Sequence, residues 1–429
     1  MNNFLPKNLF VEKVHLGGKT IDEALALLDE LEQEQLKRVI TVSYDMQGSY
    51  EQHSTFTYAQ LGYYTDKASV IKALTDIMDK NKSIINRFIT YKRIENSRAD
   101  YWLSHSFDYS KFTRAIAVFD DTKLKAPLDA KYSYGNGKVE IIPEEDGFVF
   151  DKERLYKELI ANKDAQSIKL NVKAVKALVT AKQLETQGVR ELISSFTTKF
   201  DAGNIPRSSN IRLAAKFIDG ALVPPGGNFS FNETVGERTE SKGFREAGVY
   251  INGKVDTGIG GGICQVSTTL YNSVLLADLP VVERSNHSLT VPYVPLSRDA
   301  AVSWGSQDFK FSNNTEHYIL IHCRTTNNTI TFELYGTKGN KTVELISTTL
   351  SKTRAPVQYI NDETQPFGKE EVIDRGHDGF QSQLVKKVYV DGKPISSELV
   401  SKDKYIPAFK VIKRGTKMPE VMPEIFHNY

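Results

Sequence analysis

Cysteine is scarce in this sequence, which has 2 cysteines among 429 residues. Two thiols are too few for a disulfide framework or for a thiolate-rich zinc centre. The 8 histidines are scattered, and neither a His-Glu-Xaa-Xaa-His nor a Cys-Xaa-Xaa-Cys motif is present. The sequence therefore predicts neither a metal site nor a cofactor.

An excess of charge of either sign is also missing. Lys and Arg number 55 and Asp and Glu number 53, which gives a formal net charge of +2. Nucleic-acid-binding domains need a clear surplus of positive charge, so nucleic acid is not an expected partner. The glycine cluster at residues 260–262 lacks the Gly-Lys-Ser/Thr ending of a phosphate-binding loop. Nucleotide phosphates are therefore not expected to bind there.

Long apolar runs are absent from the sequence as well. No stretch reaches the roughly 18 apolar residues of a membrane-spanning helix, and the first residues do not combine a basic segment with an apolar core. Taken literally, this pattern predicts a cytosolic protein. The alternative is an exported protein from which an N-terminal signal or anchor has been removed.

The sequence does contain the composition of a folded protein with several domains. Hydrophobic residues make up 40% and charged residues 25%, which is ordinary for a soluble protein with a core. A length of 429 residues predicts roughly two to four domains. The 20 Tyr and 22 Phe residues favour β-rich layers and surfaces that face sugars or peptides.

An internal repeat lies in the N-terminal part of the chain. Residues 61–74 align with residues 146–159, with a glycine, an Asp-Lys pair, apolar positions and a lysine in register. In each copy an extended apolar segment leads into a helix, and we expect Asp66 and Asp151 to be the N-caps of those helices. The repeat predicts two small α+β units of the same design.

A glycine cluster followed by a helical pattern dominates the middle of the chain. After glycines 260–262, the residues Val266, Leu270 and Val274 recur with the spacing of one helix face. Cys264 therefore falls at or just before the start of a helix. Free backbone N–H groups and the helix dipole stabilise an anion at that position, so a thiolate would form there more readily than at an ordinary cysteine.

A histidine and an acidic residue follow the cysteine on segments that look extended. Cys264, then His287, then Asp299 is the chain order of papain-like and transglutaminase-like thiol enzymes. On this hypothesis Cys264 is the nucleophile, His287 the base, Asp299 or Asn286 the group that orients it, and the backbone N–H groups of residues 263–265 the oxyanion donors. The residues that we assign to substrate binding on the same hypothesis are Gly261, Gly262, Gln265, Thr268, Asn286, Asn232 and Arg298.

Other interpretations of the same residues stay open. Cys264 is equally well a small core side chain, or one half of a disulfide with Cys323 in an oxidising compartment. His287 stands between Asn and Ser and fits a turn that it caps. Asp299 follows Arg298 and fits a simple ion pair with it.

Four separated motifs in the central region carry a family resemblance. They lie in order at residues 222–232, 260–272, 284–288 and 308–314, and together they resemble the VanW family. That family takes its name from an accessory protein of vancomycin-resistance clusters in Gram-positive bacteria. The resemblance covers about residues 190–345 and implies a cell-envelope setting, without implying a reaction.

The flanking regions resemble two further modules. The N-terminal repeats are similar to the peptidoglycan-binding domain that precedes the catalytic domain of many L,D-transpeptidases, which implies proximity to the cell wall. The C-terminal region resembles the five-glycine (G-five) module of surface and wall proteins, a β fold with little core that either associates with amino sugars or serves as a spacer. The glycines that carry this resemblance are Gly368, Gly376, Gly379, Gly392 and Gly415.

Together these observations predict a multidomain α+β protein: two repeated small α+β units, a central α+β domain and an elongated β-rich C-terminal module. The predicted divisions are residues 9–105 and 106–186 for the two units, 190–345 for the central domain, 346–418 for the β module and 419–429 for a tail.

The expected setting is outside the cell, at the cell wall or membrane surface of a Gram-positive bacterium. A removed N-terminal anchor would be the only link to the membrane. The primary functional hypothesis is a protein that binds peptidoglycan or its stem peptides in an accessory role in envelope metabolism. The alternatives are a thiol enzyme that acts on amide bonds of wall peptides through Cys264 and His287, and a scaffold for another wall enzyme.

Overall fold

The computed structural model describes residues 3–44, 52–135, 137–251 and 254–418. The chain divides into two compact units, the first of Met1–Asp129 with Glu144–Leu178 and the second of Ala130–Pro143 with Val179–Tyr429. Helices and strands occur in both, so the predicted multidomain α+β class is confirmed. The predicted tail at residues 419–429 lies outside the described residues.

The helices of the described ranges are mostly short. None of them has the length and apolar character needed to cross a membrane. They are α1 (Ile21–Lys37), α2 (Ala68–Met78), α3 (Ile84–Asn96), α4 (Tyr109–Ala115), α5 (Lys152–Ala161), α6 (Ala181–Gln187), α7 (Ile205–Ile218), α8 (Phe231–Val235) and α9 (Ile263–Leu276), with 3-10 turns at Ile116–Val118, Asp121–Lys123 and Glu240–Lys242.

The strands lengthen towards the C-terminus. Up to residue 259 they are β1 (Leu9–Val11), β2 (Val14–His15), β3 (Val39–Tyr44), β4 (Gln52–Thr57), β5 (Tyr63–Asp66), β6 (Ala99–Tyr101), β7 (Ser104–Phe107), β8 (Lys131–Gly135), β9 (Lys138–Ile142), β10 (Gly147–Phe150), β11 (Ser167–Lys169), β12 (Val172–Val175), β13 (Glu191–Lys199), β14 (Ala221–Val223), β15 (Asn228–Ser230), β16 (Glu246–Ile251) and β17 (Lys254–Ile259). Beyond it they are β18 (Val281–Glu283), β19 (Lys310–Ser312), β20 (Ile319–Thr325), β21 (Thr329–Gly336), β22 (Lys341–Thr353), β23 (Val357–Pro366), β24 (Glu370–Asp374), β25 (Gly379–Val390), β26 (Lys393–Tyr405) and β27 (Lys410–Lys417).

The first unit combines small sheets with short helices. Its sheets have the strand orders β2-β1-β6, β11-β3-β4, β5-β7 and β10-β12. Helix α1 begins at a capping box, in which the Thr20 hydroxyl accepts from the Glu23 N–H at 3.2 Å and the Glu23 carboxylate accepts from the Thr20 N–H at 2.8 Å. Two apolar clusters fill the unit, one around α1 and α2 and one around α4 and α5.

Both copies of the internal repeat fold as a strand followed by a helix, β5 with α2 and β10 with α5. Asp151 is the N-cap of α5 as predicted, and its carboxylate accepts from the Arg154 N–H at 3.2 Å. The same prediction for Asp66 is wrong by one residue. Asp66 is still part of β5, where it pairs with Ser104, so the N-cap position of α2 falls to Lys67.

Segments on either side of the repeat copies pair with distant strands. Strand β3 pairs in parallel with β11, so residues from before the first copy and after the second share one sheet. Strands β8 and β9 belong to the second unit, where Lys138 pairs with Glu191 of β13. The domain boundaries derived from the sequence stay predictions.

The second unit is organised around a six-stranded sheet with the order β14-β20-β21-β13-β9-β8. Its pairings are antiparallel, and helices α7 and α9 pack against it. The predicted apolar face of α9 is confirmed, because Val266, Leu270 and Val274 are fully buried in the main core beside Phe332 and Leu334 of β21. Burial of these side chains is the main source of stability for the helix.

Helix α9 is buried on its polar sides as well. The residues from Gln265 to Leu275 are buried without exception. Buried hydroxyls need partners, and Ser273 donates to the Phe332 carbonyl at 2.9 Å while Ser267 donates to the Ala300 carbonyl at 2.7 Å. These bonds attach α9 to the sheet on one side and to the segment around residue 300 on the other.

The C-terminal strands form two further sheets of the second unit, with orders β22-β25-β26 and β23-β27-β24. Strands β22 and β26 are each 13 residues long, and Leu384, Val388 and Tyr405 are among the buried side chains. At Gly415 a Cβ atom would lie 2.0 Å from the Pro366 carbonyl oxygen, so the two backbones can approach only with glycine there. The predicted β-rich module is confirmed.

Candidate active site

The glycine cluster fixes the start of α9. Gly262 is the N-cap of the helix and has a φ of 103°, which only glycine adopts readily. A Cβ atom on Gly262 would lie 2.9 Å from Nη1 of Arg207, and one on Gly261 would lie 2.7 Å from the Ala247 carbonyl carbon. The cluster therefore lets the chain turn between its neighbours and places Cys264 as the second residue of the helix.

The backbone N–H groups at this helix start are not equivalent. The Ile263 N–H donates to the Gly260 carbonyl at 3.2 Å, and the Gln265 N–H donates to the Gly262 carbonyl at 3.0 Å. The Cys264 N–H between them finds no hydrogen-bond partner in the part of the chain that the structure describes. Of the three predicted oxyanion donors, Cys264 itself therefore has the free group.

Cys264, His287 and Asp299 lie together. Nδ1 of His287 donates to Oδ2 of Asp299 at 2.7 Å, and the His287 backbone N–H donates to the same oxygen at 2.7 Å. The His287 ring also interacts with the Cys264 side chain closely enough to shift the pKa of both groups, and the Cys264 sulfur donates to the Val302 carbonyl at 3.4 Å. Because Nδ1 is committed to Asp299, Nε2 is the nitrogen left to interact with the sulfur.

The electrostatics of this trio favour a thiolate and an imidazolium. Burial alone would raise the pKa of the Cys264 thiol, but His287, the Val302 backbone and the charge of Arg238 together hold that pKa below its usual range. Burial alone would lower the pKa of His287, but its bonds to Asp299 and Cys264 raise it to about 9. As a residue, Cys264 is only partly buried.

Asp299 stays ionised because several donors surround it. Burial alone would raise the pKa of Asp299, but the His287 hydrogen bond and charge, together with Arg284, lower it. Nη2 of Arg284 lies 3.2 Å from Oδ1 of Asp299, and the Tyr405 hydroxyl donates to the same oxygen at 2.6 Å. The ion pair of Asp299 is therefore with Arg284, and the interpretation of Asp299 as a partner of Arg298 is wrong.

Sequence reasoning missed Arg238. Its Nη2 donates to Oδ1 of Asn232 at 2.7 Å, and its charge is close enough to Cys264 to help lower the thiol pKa. Nη1 of Arg238 is buried without a hydrogen-bond partner among the described residues. The predicted pocket residue Asn232 therefore holds an arginine whose charge acts on the thiol. An arginine in the polar segment Gly-Glu-Arg-Thr carries no sequence signal for this position, since it looks like ordinary surface charge.

Tyr293 is a second residue that the sequence did not single out. Burial and the nearby charge of Cys264 raise the pKa of Tyr293, which also interacts with Thr268. Oγ1 of Thr268 also accepts from the Ala300 N–H at 3.0 Å. The sequence signal that could have identified Tyr293 is the pair of prolines in Val-Pro-Tyr-Val-Pro, because prolines restrict the backbone around the tyrosine.

Other side chains predicted to bind substrate are engaged within the protein. The Gln265 amide donates to the Lys199 carbonyl at 2.8 Å and accepts from Arg207 at 2.8 Å. The Arg298 guanidinium donates to Asn272 at 2.7 Å. The Asn286 amide donates to the carbonyls of residues 287 and 404 at 2.8 and 3.1 Å.

The remaining cysteine does not belong to this cluster. Cys264 and Cys323 are both free thiols, so the bridge that the sequence left open is not formed. Burial raises the pKa of Cys323. Within the described ranges, no group of three or more His, Cys, Asp or Glu side chains is arranged to hold a metal ion.

Comparison with known proteins places this site in a family. A family model described as VanW like protein matches residues 206–335, which include Cys264, His287 and Asp299. The uncharacterized protein YoaR of Bacillus subtilis (strain 168) is 35% identical over 231 residues, which are 53% of this chain and 75% of YoaR. The chain belongs to the VanW family. Vancomycin B-type resistance protein VanW of Enterococcus faecalis (strain ATCC 700802 / V583) is 35% identical over 112 residues, which are 25% of this chain and 41% of that protein.

The flanking regions of this VanW-family chain also match family models. A peptidoglycan binding domain model matches residues 54–171, and the G5 domain model matches residues 346–417. Two solved structures, HP0197-G5 and the IgA1 protease G5 domain, each cover 18% of the chain with TM-scores of 0.13 and 0.14 and identities of 19% and 20%. The resemblance to all three modules that the sequence predicted is confirmed. The protein is cell-wall-associated.

Proposed function

We propose that this protein is a thiol enzyme that acts on amide bonds of cell-wall peptides through Cys264. The observation that carries the proposal is the convergence of three groups at the start of a buried helix: His287 is bonded to Asp299 at 2.7 Å and interacts with the Cys264 thiol. A nucleophile, a base and a group that orients the base are the parts that covalent acyl transfer needs. Because the protein is cell-wall-associated, we propose the peptides of the wall as its substrate class. The proposal also places the protein outside the membrane.

The first half of the proposed reaction makes a thioester. The Cys264 thiolate attacks the carbonyl carbon of the amide, a carbon–sulfur bond forms, and the carbonyl oxygen takes the negative charge. The free N–H of Cys264 and Nη1 of Arg238 are the donors for that oxygen. When the carbon–nitrogen bond breaks, the His287 imidazolium gives its proton to the leaving amine.

The second half restores the site. Water or a second amine attacks the thioester carbon, and neutral His287 takes the proton of the attacking group. The sulfur leaves as a thiolate, which regains its imidazolium partner. Attack by water gives hydrolysis and attack by an amine gives transfer to a new peptide.

The test is the pH dependence of Cys264 alkylation by iodoacetamide, followed on the Cys264 peptide by mass spectrometry. In the unaltered protein we expect an apparent thiol pKa below about 8.5. In His287→Ala burial remains without the imidazolium, so the pKa rises by at least about one unit and alkylation at pH 7 slows about tenfold or more.

The matched control for this test is His322→Ala. His322 also donates from Nδ1 to an aspartate, Asp219, at 2.7 Å, but it is not bonded to Cys264. The control should keep the low thiol pKa of the unaltered protein. A Cys264 that stays unreactive until the protein unfolds is a core residue, and that result would end the enzyme proposal.

A second candidate function, binding of peptidoglycan by the first unit, is favoured by the match over residues 54–171. That unit has a shallow cleft of about 430 Å³, lined by Phe56, Gln60, Lys111, Arg114 and Ala115. Its two cations suit the carboxylates of stem peptides and its aromatic ring suits an apolar sugar or peptide face.

Co-sedimentation with purified peptidoglycan tests this second function. The double variant Lys111→Ala, Arg114→Ala should bind peptidoglycan at least about tenfold more weakly. Each substitution removes a charge-assisted contact, and each such loss should weaken the affinity roughly threefold or more. The variant Lys72→Ala, Lys157→Ala removes the same charge from exposed helix positions of the same unit and should bind normally. Equal loss in both variants would mean nonspecific charge attraction, and no loss in either would exclude the cleft.

A further inference from the structure

The end of strand β26 reaches the acidic residue of the candidate site. The Tyr405 hydroxyl donates to Oδ1 of Asp299 at 2.6 Å and accepts from the Ser297 backbone N–H at 2.8 Å. Tyr405 is 2% and Asp299 1% exposed, so water does not compete for these bonds. Both oxygens of Asp299 are thereby fixed, Oδ2 by His287 and Oδ1 by Tyr405.

The neighbours of Tyr405 hold the chain on both sides of His287. The Lys404 carbonyl accepts from the Asn286 side chain at 3.1 Å, and the Ile406 N–H donates to the Ser288 carbonyl at 2.8 Å. Three consecutive residues, 404–406, thus bond the two neighbours of the histidine, Asn286 and Ser288, and the aspartate that orients it. Side-chain truncation of His287 would leave these contacts in place.

A buried ion pair adds a second connection from the same strand. Nη1 of Arg284 lies 2.7 Å from Asp403, while its Nη2 lies 3.2 Å from Asp299. The side chains of Arg284 and Asp403 are 7% and 6% exposed. Arg284 therefore couples the charge of Asp299 to a residue of the C-terminal module.

We propose that the C-terminal five-glycine module, residues 346–417, is a positioning element of the thiol site, and that Tyr405 is its principal positioning residue. The inference rests on the proposed function of Cys264. This positioning role differs from that of a separate spacer or sugar-binding stalk. A stalk needs no buried hydrogen bond to a carboxylate of the neighbouring domain. Through Asp299, Tyr405 sets the orientation of the His287 ring and hence the stability of the thiolate.

The test is the pH profile of Cys264 alkylation in Tyr405→Phe, which removes one oxygen atom. We expect the curve to move to higher pH, with alkylation at pH 6 slowed about fivefold, the equivalent of one net hydrogen bond. Tyr389→Phe is the matched control, because the Tyr389 hydroxyl also donates to a carboxylate, that of Glu344 in β22, at 2.8 Å. The control should keep the unaltered profile.

The possible results separate the two proposals. If the unaltered protein shows no low thiol pKa, the proposed function fails before Tyr405 is tested. If the unaltered protein shows it and Tyr405→Phe has the same profile, even with a lower melting temperature, the positioning role is overturned. Should Tyr405→Phe fail to fold, Asp403→Asn takes its place, with a smaller shift in the same direction expected and an unchanged profile overturning the proposal.

Discussion

Two places in the second unit bring a cysteine, a histidine and an aspartate close together, and they differ in almost everything else. One is Cys264 with His287 and Asp299. The other is Cys323 beside His322, which donates to Asp219 at the same distance of 2.7 Å. Only in the first does the histidine act on the pKa of the thiol.

The local backbone explains that difference. His322 and Cys323 are neighbours on strand β20, so their side chains point to opposite faces of the sheet. Cys323 faces the core, where burial raises its pKa, and His322 and Asp219 lie near the surface with 18% and 38% of their side chains exposed. A cysteine, a histidine and an aspartate therefore make a thiol site only where the start of a helix meets the segments that carry the other two residues, as it does at Cys264.

The largest effect expected from this comparison is in alkylation of the native protein. Cys264 should react with iodoacetamide at pH 7 at least about a thousandfold faster than Cys323, because a buried thiol reacts only when the fold opens. Peptide mass spectrometry over a time course measures both rates, and unfolding in denaturant should make them similar. Comparable rates in the native state would remove the distinction between the two thiols.

A smaller contrast is expected between the two aspartates in urea unfolding. Asp299→Asn removes the buried carboxylate shared by His287 and Arg284, leaving Arg284 with Asp403 alone, and should cost about 3 kcal/mol of unfolding free energy. Asp219→Asn acts at a partly exposed pair and should cost at most about 1 kcal/mol. Equal costs would show that burial does not distinguish the two pairs.

Local sequence patterns predict the parts of the fold that depend on neighbours along the chain. The helix after Gly262, its apolar face and the capping box at Thr20 all follow from spacings of a few residues. The N-cap expected at Asp66 failed because its pairing with Ser104, a distant residue, keeps it in a strand. Tertiary contacts of that kind have no local signature.

The candidate site shows the same limit more clearly. The order of Cys264, His287 and Asp299 suggested the trio, but their convergence required the folded chain. No local sequence pattern pointed to Arg238 or Tyr405. For Tyr405 the reason is distance along the chain, because its contact with Asp299 joins residues 106 positions apart. The expected roles of Gln265 and Arg298 depended on side-chain direction, which residue type does not specify.

The separation of the two thiols also decides how Cys264 responds to oxidants. A thiolate-prone sulfur that meets peroxide becomes a sulfenic acid, which a nearby second thiol normally captures as a disulfide. Here the chain's other cysteine, Cys323, lies on β20 and is buried in the core, so it cannot form that disulfide. A sulfenic acid at Cys264 therefore depends on a small external thiol to reduce it back to the thiol. Without such a thiol, further oxidation gives the irreversible sulfinic form.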